Sequence, residues 1–419
     1  MRAVVLRALF LRWFVEHLYR SRERRLSTRN FATHNRMPRH VVDPQGERAT
    51  YSPGETVTFQ LAGGDSEVLI PRLRLVGRVY FTGAAAGTIS LPANLGMHAC
   101  IRSLYVSSAR RSSIQSIVEY PRYLAVCRAG TRPEDRFSDA DDLSSPSLSI
   151  TRGQITGATN LASAIPFSIE LEQLGSGLFA QKLPFGKFGT FTVQVSLSSA
   201  ADAIVQDAPT ATASFVLTEL ALCYDTAPFA GKPADLALPQ PFIRPEVQRI
   251  EIESSRMTIT KPFTQQLISA AVVFIKQSSL GNVNFDQGMT EAPSGLESVK
   301  FSAAGEDLSQ FDINITDPYA AQIQSGFYTA LIAAGLPAVL SDSVVARASG
   351  GALRWRAANT AANNSSSSLP IGGVGVEDSY GVGVAFPPMG SKGNLAVSLQ
   401  WSPGSTYTAH LILWYLDSA

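Results

Sequence analysis

The chain has 419 residues, 45% of them hydrophobic and only 16% charged, with 32 Gly and 24 Pro. That profile excludes a disordered chain or a coiled coil and suits turn-rich β domains; at roughly 150 residues per domain the length allows two or three. The overall charge of +1 argues against a polyanion partner only if it is evenly spread, and it is not.

Residues 1–40 hold ten arginines, Arg2, Arg7, Arg12, Arg20, Arg22, Arg24, Arg25, Arg29, Arg36 and Arg39, against Glu16 and Glu23. Ten minus two gives +8, so the overall +1 leaves −7 on the rest of the chain. Residues 1–44 therefore read as a basic N-terminal arm. Its stretch AVVLRALFLRWFVEHLY, residues 3–19, favours helix but is imperfectly amphipathic, because Arg7 falls on the apolar side. Arginines interrupt the apolar run, which argues against a secretory signal. Three readings of the arm stay open: a segment facing membrane or nucleic acid, an upstream extension with Met37 as the start, or a targeting sequence. On the first, the contact residues are Arg2, Arg7, Arg12, Arg20, Arg22, Arg24, Arg25 and Arg29.

Beyond Asp43-Pro44 the pattern changes to short alternating runs bounded by turn residues, as expected of antiparallel strands with one buried face. In chain order they are Thr56–Leu61 (TVTFQL), Leu73–Phe81, Cys100–Val106, Thr190–Leu197 and Ser214–Tyr224. A helix is expected over Ile114–Arg128, with Pro121 inside it. A second is expected over Pro318–Ala334, where Asp317 offers an N-cap and Pro318 the first helical position. The polar, low-complexity stretches Thr131–Ser149 and Ala357–Ser368 read as exposed loops. No stretch supplies the near-continuous apolar run of about 20 residues that a membrane-spanning helix needs.

The chain repeats itself at an offset close to 200 residues. PFGKFGTFTVQVSL, ending at Leu197, corresponds to PPMGSKGNLAVSL, ending at Leu399, and each is followed by a last strand, Val216–Asp225 and Thr408–Asp417. Val57-Thr58-Phe59 falls against Met257-Thr258-Ile259 more weakly. Two halves follow, 45–225 and 246–419, joined by residues 226–245, whose five prolines exclude a central strand or helix and make a semi-rigid connector.

Positive signals for catalysis are missing. Outside the arm the histidines are His98 and His410 alone, too few for the clustered ligands of a duplicated metal-dependent barrel; His410 reads as structural or interfacial. No GxSxG elbow or phosphate loop occurs. Gly372, Gly373, Gly375, Gly381 and Gly383 read as turn and bulge glycines. Cys100, Cys127 and Cys223 are an odd number without CxxC spacing, and read as buried thiols in a reducing compartment. No catalytic, cofactor or metal site is assigned.

Two similar strand-rich halves, a proline connector, a helix in each half and long polar loops resemble the double jelly-roll major capsid proteins of tailless icosahedral viruses: the adenovirus lineage, virophages, Polinton-like viruses and membrane-containing phages. The stretch Leu91–Leu124 is similar to their strand pair leading into a helix. The resemblance implies a mainly β fold of two tandem eight-stranded antiparallel jelly rolls with inserted helices. It also implies a homotrimer forming a pseudo-hexagonal capsomer in the virion, assembled inside the host cell. The implied partners are neighbouring capsomers, penton and minor capsid proteins, and a membrane or nucleic acid through the arm, with no small-molecule substrate. The other reading open at this point is a tandem β-sandwich binding or fibre protein, lectin-like or a minor capsid component.

Overall fold

The computed structural model describes residues 39–46, 48–83, 89–92, 95–129, 159–171, 177–206, 213–231, 241–252, 254–281, 296–308, 321–336, 381–387, 392–401 and 406–418. The basic arm up to Pro38, both polar loops, and Gly372, Gly373 and Gly375 lie outside them.

The first half is built from β1 (Arg39–Val42), β2 (Thr50–Tyr51), β3 (Thr56–Leu61), β4 (Glu67–Leu69), β5 (Arg74–Thr82), β6 (Ile89–Ser90), β7 (Ile101–Ser108), β8 (Arg111–Ile117), helix α1 (Tyr120–Ala129), β9 (Ile165–Glu170), β10 (Leu183–Pro184), β11 (Phe191–Leu197), β12 (Val205–Gln206) and β13 (Ser214–Pro228). The second half contains β14 (Pro241–Glu251), β15 (Arg256–Phe263), β16 (Gln266–Lys276), β17 (Leu296–Ala303), β18 (Glu306–Asp307), helix α2 (Ala321–Ala333), β19 (Gly381–Ala385), β20 (Gly393–Trp401) and β21 (Tyr407–Ser418).

Pairing repeats between the halves. In the first, β13 lies between β1 and β5, and β9 follows β5; in the second, the order is β14-β21-β16-β19. The facing sheets run β3-β11-β7-β8 and β15-β20-β17-β18. Each half is thus an eight-stranded jelly roll, counting β1 and β2 as one interrupted strand, and in each the helix stands between the fifth and sixth strands of chain order. Alternation drives the packing: Val57, Phe59 and Leu61 of β3, and Phe191, Val193, Val195 and Leu197 of β11, point inward, while the residues between them face out.

The structure also refines the alignment of the repeat. A cross-strand hydroxyl pair joins Thr56 to Ser196 at 3.1 Å and another joins Thr258 to Ser398 at 3.1 Å, with 140 residues between the partners in both cases. The step is 258 minus 56 and 398 minus 196, 202 in each case, so Thr56-Val57-Thr58 matches Thr258-Ile259-Thr260 rather than Met257 onward.

Several expectations are corrected. Ile114–Ile117 is strand, paired with β7 through Leu104 and Ile117, and the first helix begins only at Tyr120. Pro121 explains this: a helix interior cannot hold it, but the first turn can. The second helix is described over Ala321–Ala333 and ends in a Schellman turn, with Leu336 N donating to Leu331 O at 3.0 Å, Gly335 N to Ile332 O at 2.9 Å, and Gly335 at φ +73°. Asp317 and Pro318 lie outside the described residues. Strand enters the expected connector from both sides, through β13 to Pro228 and β14 from Pro241. Pro241 and Pro245 are tolerated there because β14 is an edge strand.

Candidate assembly site

The seam between the jelly rolls is lined from the second half by β14, β16 and β21. Strands β16 and β21 do not alternate; SAAVVFI and AHLILWY are almost continuously apolar and buried. Such runs mark strands covered on both faces. Val272, Phe274, Leu411 and Leu413 fill the core of the second half, whereas Ala271, Val273, Ile412 and Trp414 pack into the core of the first. Directly paired residues share a face, so the pairs Pro245/Trp414 and Val247/Ile412 bring β14 to the same seam.

Helix α2 completes this wall. Gly381 and Gly383 belong to β19 and are not turn or bulge residues, which corrects that expectation. A Cβ on Gly383 would stand 2.9 Å from Ala330 Cβ and 3.2 Å from Phe327 Cα, and one on Gly326 would stand 2.8 Å from Gly383 O. Glycine here allows the helix backbone to lie directly on the strand.

At one end of the seam Asp417, only 5% exposed, is held by Arg111 of the first half and Arg244 of the second, each at 3.5 Å. Arg244 also donates to Gln265 Oε1 at 2.7 Å and lies over the Tyr415 ring. At the other end His410 is buried, as expected of a structural or interfacial residue, and the Arg122 guanidinium of α1 acts on it. Burial first, then the charges of Arg122 and Arg249, holds its pKa well below the usual imidazole value.

Register fixes the two poles. Ile165, where the chain returns from the insert containing Thr131–Ser149, is level with Val79 and Leu217; Arg39, where the chain enters, is level with Asp225. Leu217 and Asp225 are eight residues apart with one extra residue in a bulge, so seven steps of about 3.3 Å separate these levels by about 23 Å. In the second half Gly381, following the insert with Ala357–Ser368, is level with Val273 and His410, while Ser418 is paired with Pro241 at the opposite end. The turn before Arg111 lies at the chain-entry pole, because Ser108 and Leu61 are both level with Phe191, and Ala62 N and O bond to the hydroxyl of Tyr224, beside Asp225. Since Arg111 reaches Asp417, the two jelly rolls stand parallel, with the chain returning from both inserts at one pole and the chain entry and last strand end at the other.

Of the residues singled out in the sequence, Arg2, Arg7, Arg12, Arg20, Arg22, Arg24, Arg25 and Arg29 lie outside the described residues. His98 is buried in the first half, with Nδ1 3.2 Å from Tyr120 Oη. Cys100 and Cys127 are buried, and burial pushes the Cys100 thiol up; Cys223 is half-buried, a correction that follows from its place opposite the exposed Val41 on the outer face of the first sheet. Among the described residues no group of three His, Cys, Asp or Glu is placed to hold a metal ion, and no helix is long and apolar enough to cross a membrane. The Arg111–Asp417 contact, 306 residues apart in sequence, gave no local signal; the unbroken apolar runs of β16 and β21 did.

No protein-family model and no curated protein sequence matches the chain. Solved structures do. The capsid of the virus PBCV-1, a quasi-atomic model, superposes with TM-score 0.53 at 12% identity over 93% of this chain and 96% of that one. The Faustovirus major capsid protein superposes with TM-score 0.55 at 6% identity over 93% of this chain and 92% of its own. With two parallel eight-stranded sandwiches of matching strand order, the chain has the double jelly-roll fold of these viral capsid proteins.

Proposed function

We propose that the chain is a structural subunit of an icosahedral viral shell, and that three copies close into a capsomer of six jelly rolls. The observation that carries this reading is the polarity of the molecule. Two copies of one sandwich stand parallel, with the chain returning from both long inserts at one pole and the chain entry at the other. A shell subunit needs an outside and an inside, and the polar inserts suit the solvent side. The arm then faces inward, where Arg2, Arg7, Arg12, Arg20, Arg22, Arg24, Arg25 and Arg29 meet anionic membrane, genome or neighbouring subunits. The mechanism on this reading is assembly: many modest contacts close a symmetric shell, and no catalytic step is involved. The other partners are penton and minor capsid proteins, and the place of action is the virion.

Negative-stain images of the purified full chain test the proposal. Pseudo-hexagonal blocks with three raised points are expected; isolated two-lobed particles at every concentration would overturn it. Removing residues 1–36 should leave the blocks intact and abolish salt-sensitive binding to anionic vesicles and DNA. Unchanged binding would remove the arm from its assigned role.

A further inference from the structure

The two ends of the seam are built from different chemistry. At the chain-entry pole Asp417 is clasped by arginines of both halves. Toward the other pole, the face of β21 turned to the first half carries Thr408 and His410, because Tyr407, Ala409 and Leu411 fill the core of the second half while Ile412 and Trp414 enter that of the first. Thr408 Oγ1 and His410 Nδ1 are buried there and have no hydrogen-bond partner among the described residues. Buried polar atoms are normally paired, so this end of the seam is closed at a cost. Ser269 Oγ and Trp414 Nε1 are unpartnered on the same face, but only the imidazole changes charge between pH 5 and 8.

The charges acting on His410 are both cationic. Arg249 of β14 is its direct cross-strand partner, and Arg122 of α1, only 5% exposed, acts on it from the first half. At its level β16 and β19 present Val273 and Gly381. Helix α2, packed on those two strands, has no charged residue over Ala321–Leu336, and its Tyr328 is buried. Glu251, two residues along β14 on the same face, is bonded to Arg249 at 3.6 Å and is 56% exposed. A proton on the ring therefore makes a third cation inside a buried joint.

We propose that this end of the seam is an acid-operated latch: protonation of His410 releases the Arg249 end of β14 from β21 and parts β21 from Arg122 of α1, while the Asp417 clasp holds the opposite end closed. Opening separates the three cations and hydrates Nδ1 and Oγ1 together. Strand β14 is at the sheet edge, so its end leaves without breaking a second ladder. The closed form resists the proton that a solvated imidazole takes up below about pH 6.5. The open form then binds more protons, and its share rises as pH falls, by at most about tenfold per pH unit, until the closed form itself protonates. The latch belongs to the single chain and does not depend on the capsomer reading.

Hydrogen exchange of the full chain, followed by mass spectrometry and corrected for the intrinsic effect of pH on exchange, tests it. Between pH 7.5 and pH 5.5 opening of residues 247–251 and 408–411 should rise about tenfold, whereas residues 241–245 and 414–417, and strands β3 and β11, keep their protection. His410→Gln, which cannot take the proton, should abolish the rise. A wild-type chain whose exchange does not respond, a rise that survives in His410→Gln, or a rise shared equally by both ends of the seam would overturn the latch. Should His410→Gln not fold, the imidazole resonances of the wild-type chain decide: a ring that is protonated at pH 5.5 while the seam stays protected would overturn it, and a ring that stays neutral in the closed chain is the expected result.

Discussion

Arg111 of the first jelly roll donates through Nη2 to the Asp417 carboxylate of the second at 3.5 Å, across 306 residues of sequence. Asp417 is buried, while Arg111 and Arg244 are about one-third exposed, so the three do not stand to lose equally. Removing Arg111 leaves Asp417 paired with Arg244. Asp417→Ala removes the shared anion and leaves two cations near each other. Breaking a fully buried pair costs about 3–5 kcal/mol, and partial solvation of both arginines lowers this. Asp417→Ala should therefore destabilise by about 1–3 kcal/mol and Arg111→Ala by less, as read from denaturant midpoints. Equal losses would place the anion outside the joint.

Trp414 is fully buried on the outer face of β21 and packs into the core of the opposite half. Trp414→Ala should cost about 3–5 kcal/mol, the range for emptying a large aromatic site. Because the cavity opens at the seam, hydrogen exchange should rise in β14, β21 and α1 before it rises in β3 and β11. Uniform acceleration through both halves would mean that the seam does not open separately.

Helix α2 should be sensitive to a single methyl group. Gly383→Ala puts a Cβ 2.9 Å from Ala330 Cβ, 3.1 Å from Ala270 O and 3.2 Å from Phe327 Cα, none of them a flexible tip. Overpacking of this kind costs typically 1–3 kcal/mol. A variant as stable as the wild type in urea would show that the helix shifts freely on β19.

Acid should weaken the seam through His410. Its folded pKa is well below 6.5, so the ring stays neutral in the folded chain while the unfolded chain takes up a proton below about pH 6.5. The unfolded state then binds more protons, and stability falls as pH drops through that value, until the folded pKa is reached. The surrounding charges are Arg122 on α1 and Arg249 on β14, which both oppose protonation. Unfolding free energies of wild type and His410→Gln should diverge in slope between pH 7 and pH 5.5, with the variant flatter. Parallel slopes would exclude His410 as a source of acid sensitivity.

Legibility of this fold in its sequence followed exposure. Strands β11 and β20 have one wet face, so Val195-Ser196-Leu197 and Val397-Ser398-Leu399 alternate and their repetition was visible. The start of α1 is hard to read because Ile114 and Ile117 stand three apart, as on one helix face, although Pro121 marks the boundary. The face that Trp414 occupies has no signal in the sequence, since a strand buried on both sides has no period to read. Asp417, Arg111 and Arg244 come together only through the parallel placement of the halves, which no local pattern encodes. The repeat does carry one long-range message: once Tyr224 and Tyr415 are aligned, His40 and Arg244 fall together.

The most direct test of a shell subunit is the mass of the purified full chain by light scattering after size exclusion. One subunit is 44.9 kDa. A species of three subunits, stable on dilution into the low micromolar range, is the expected result, and a strictly monomeric species at every concentration would contradict the capsomer reading.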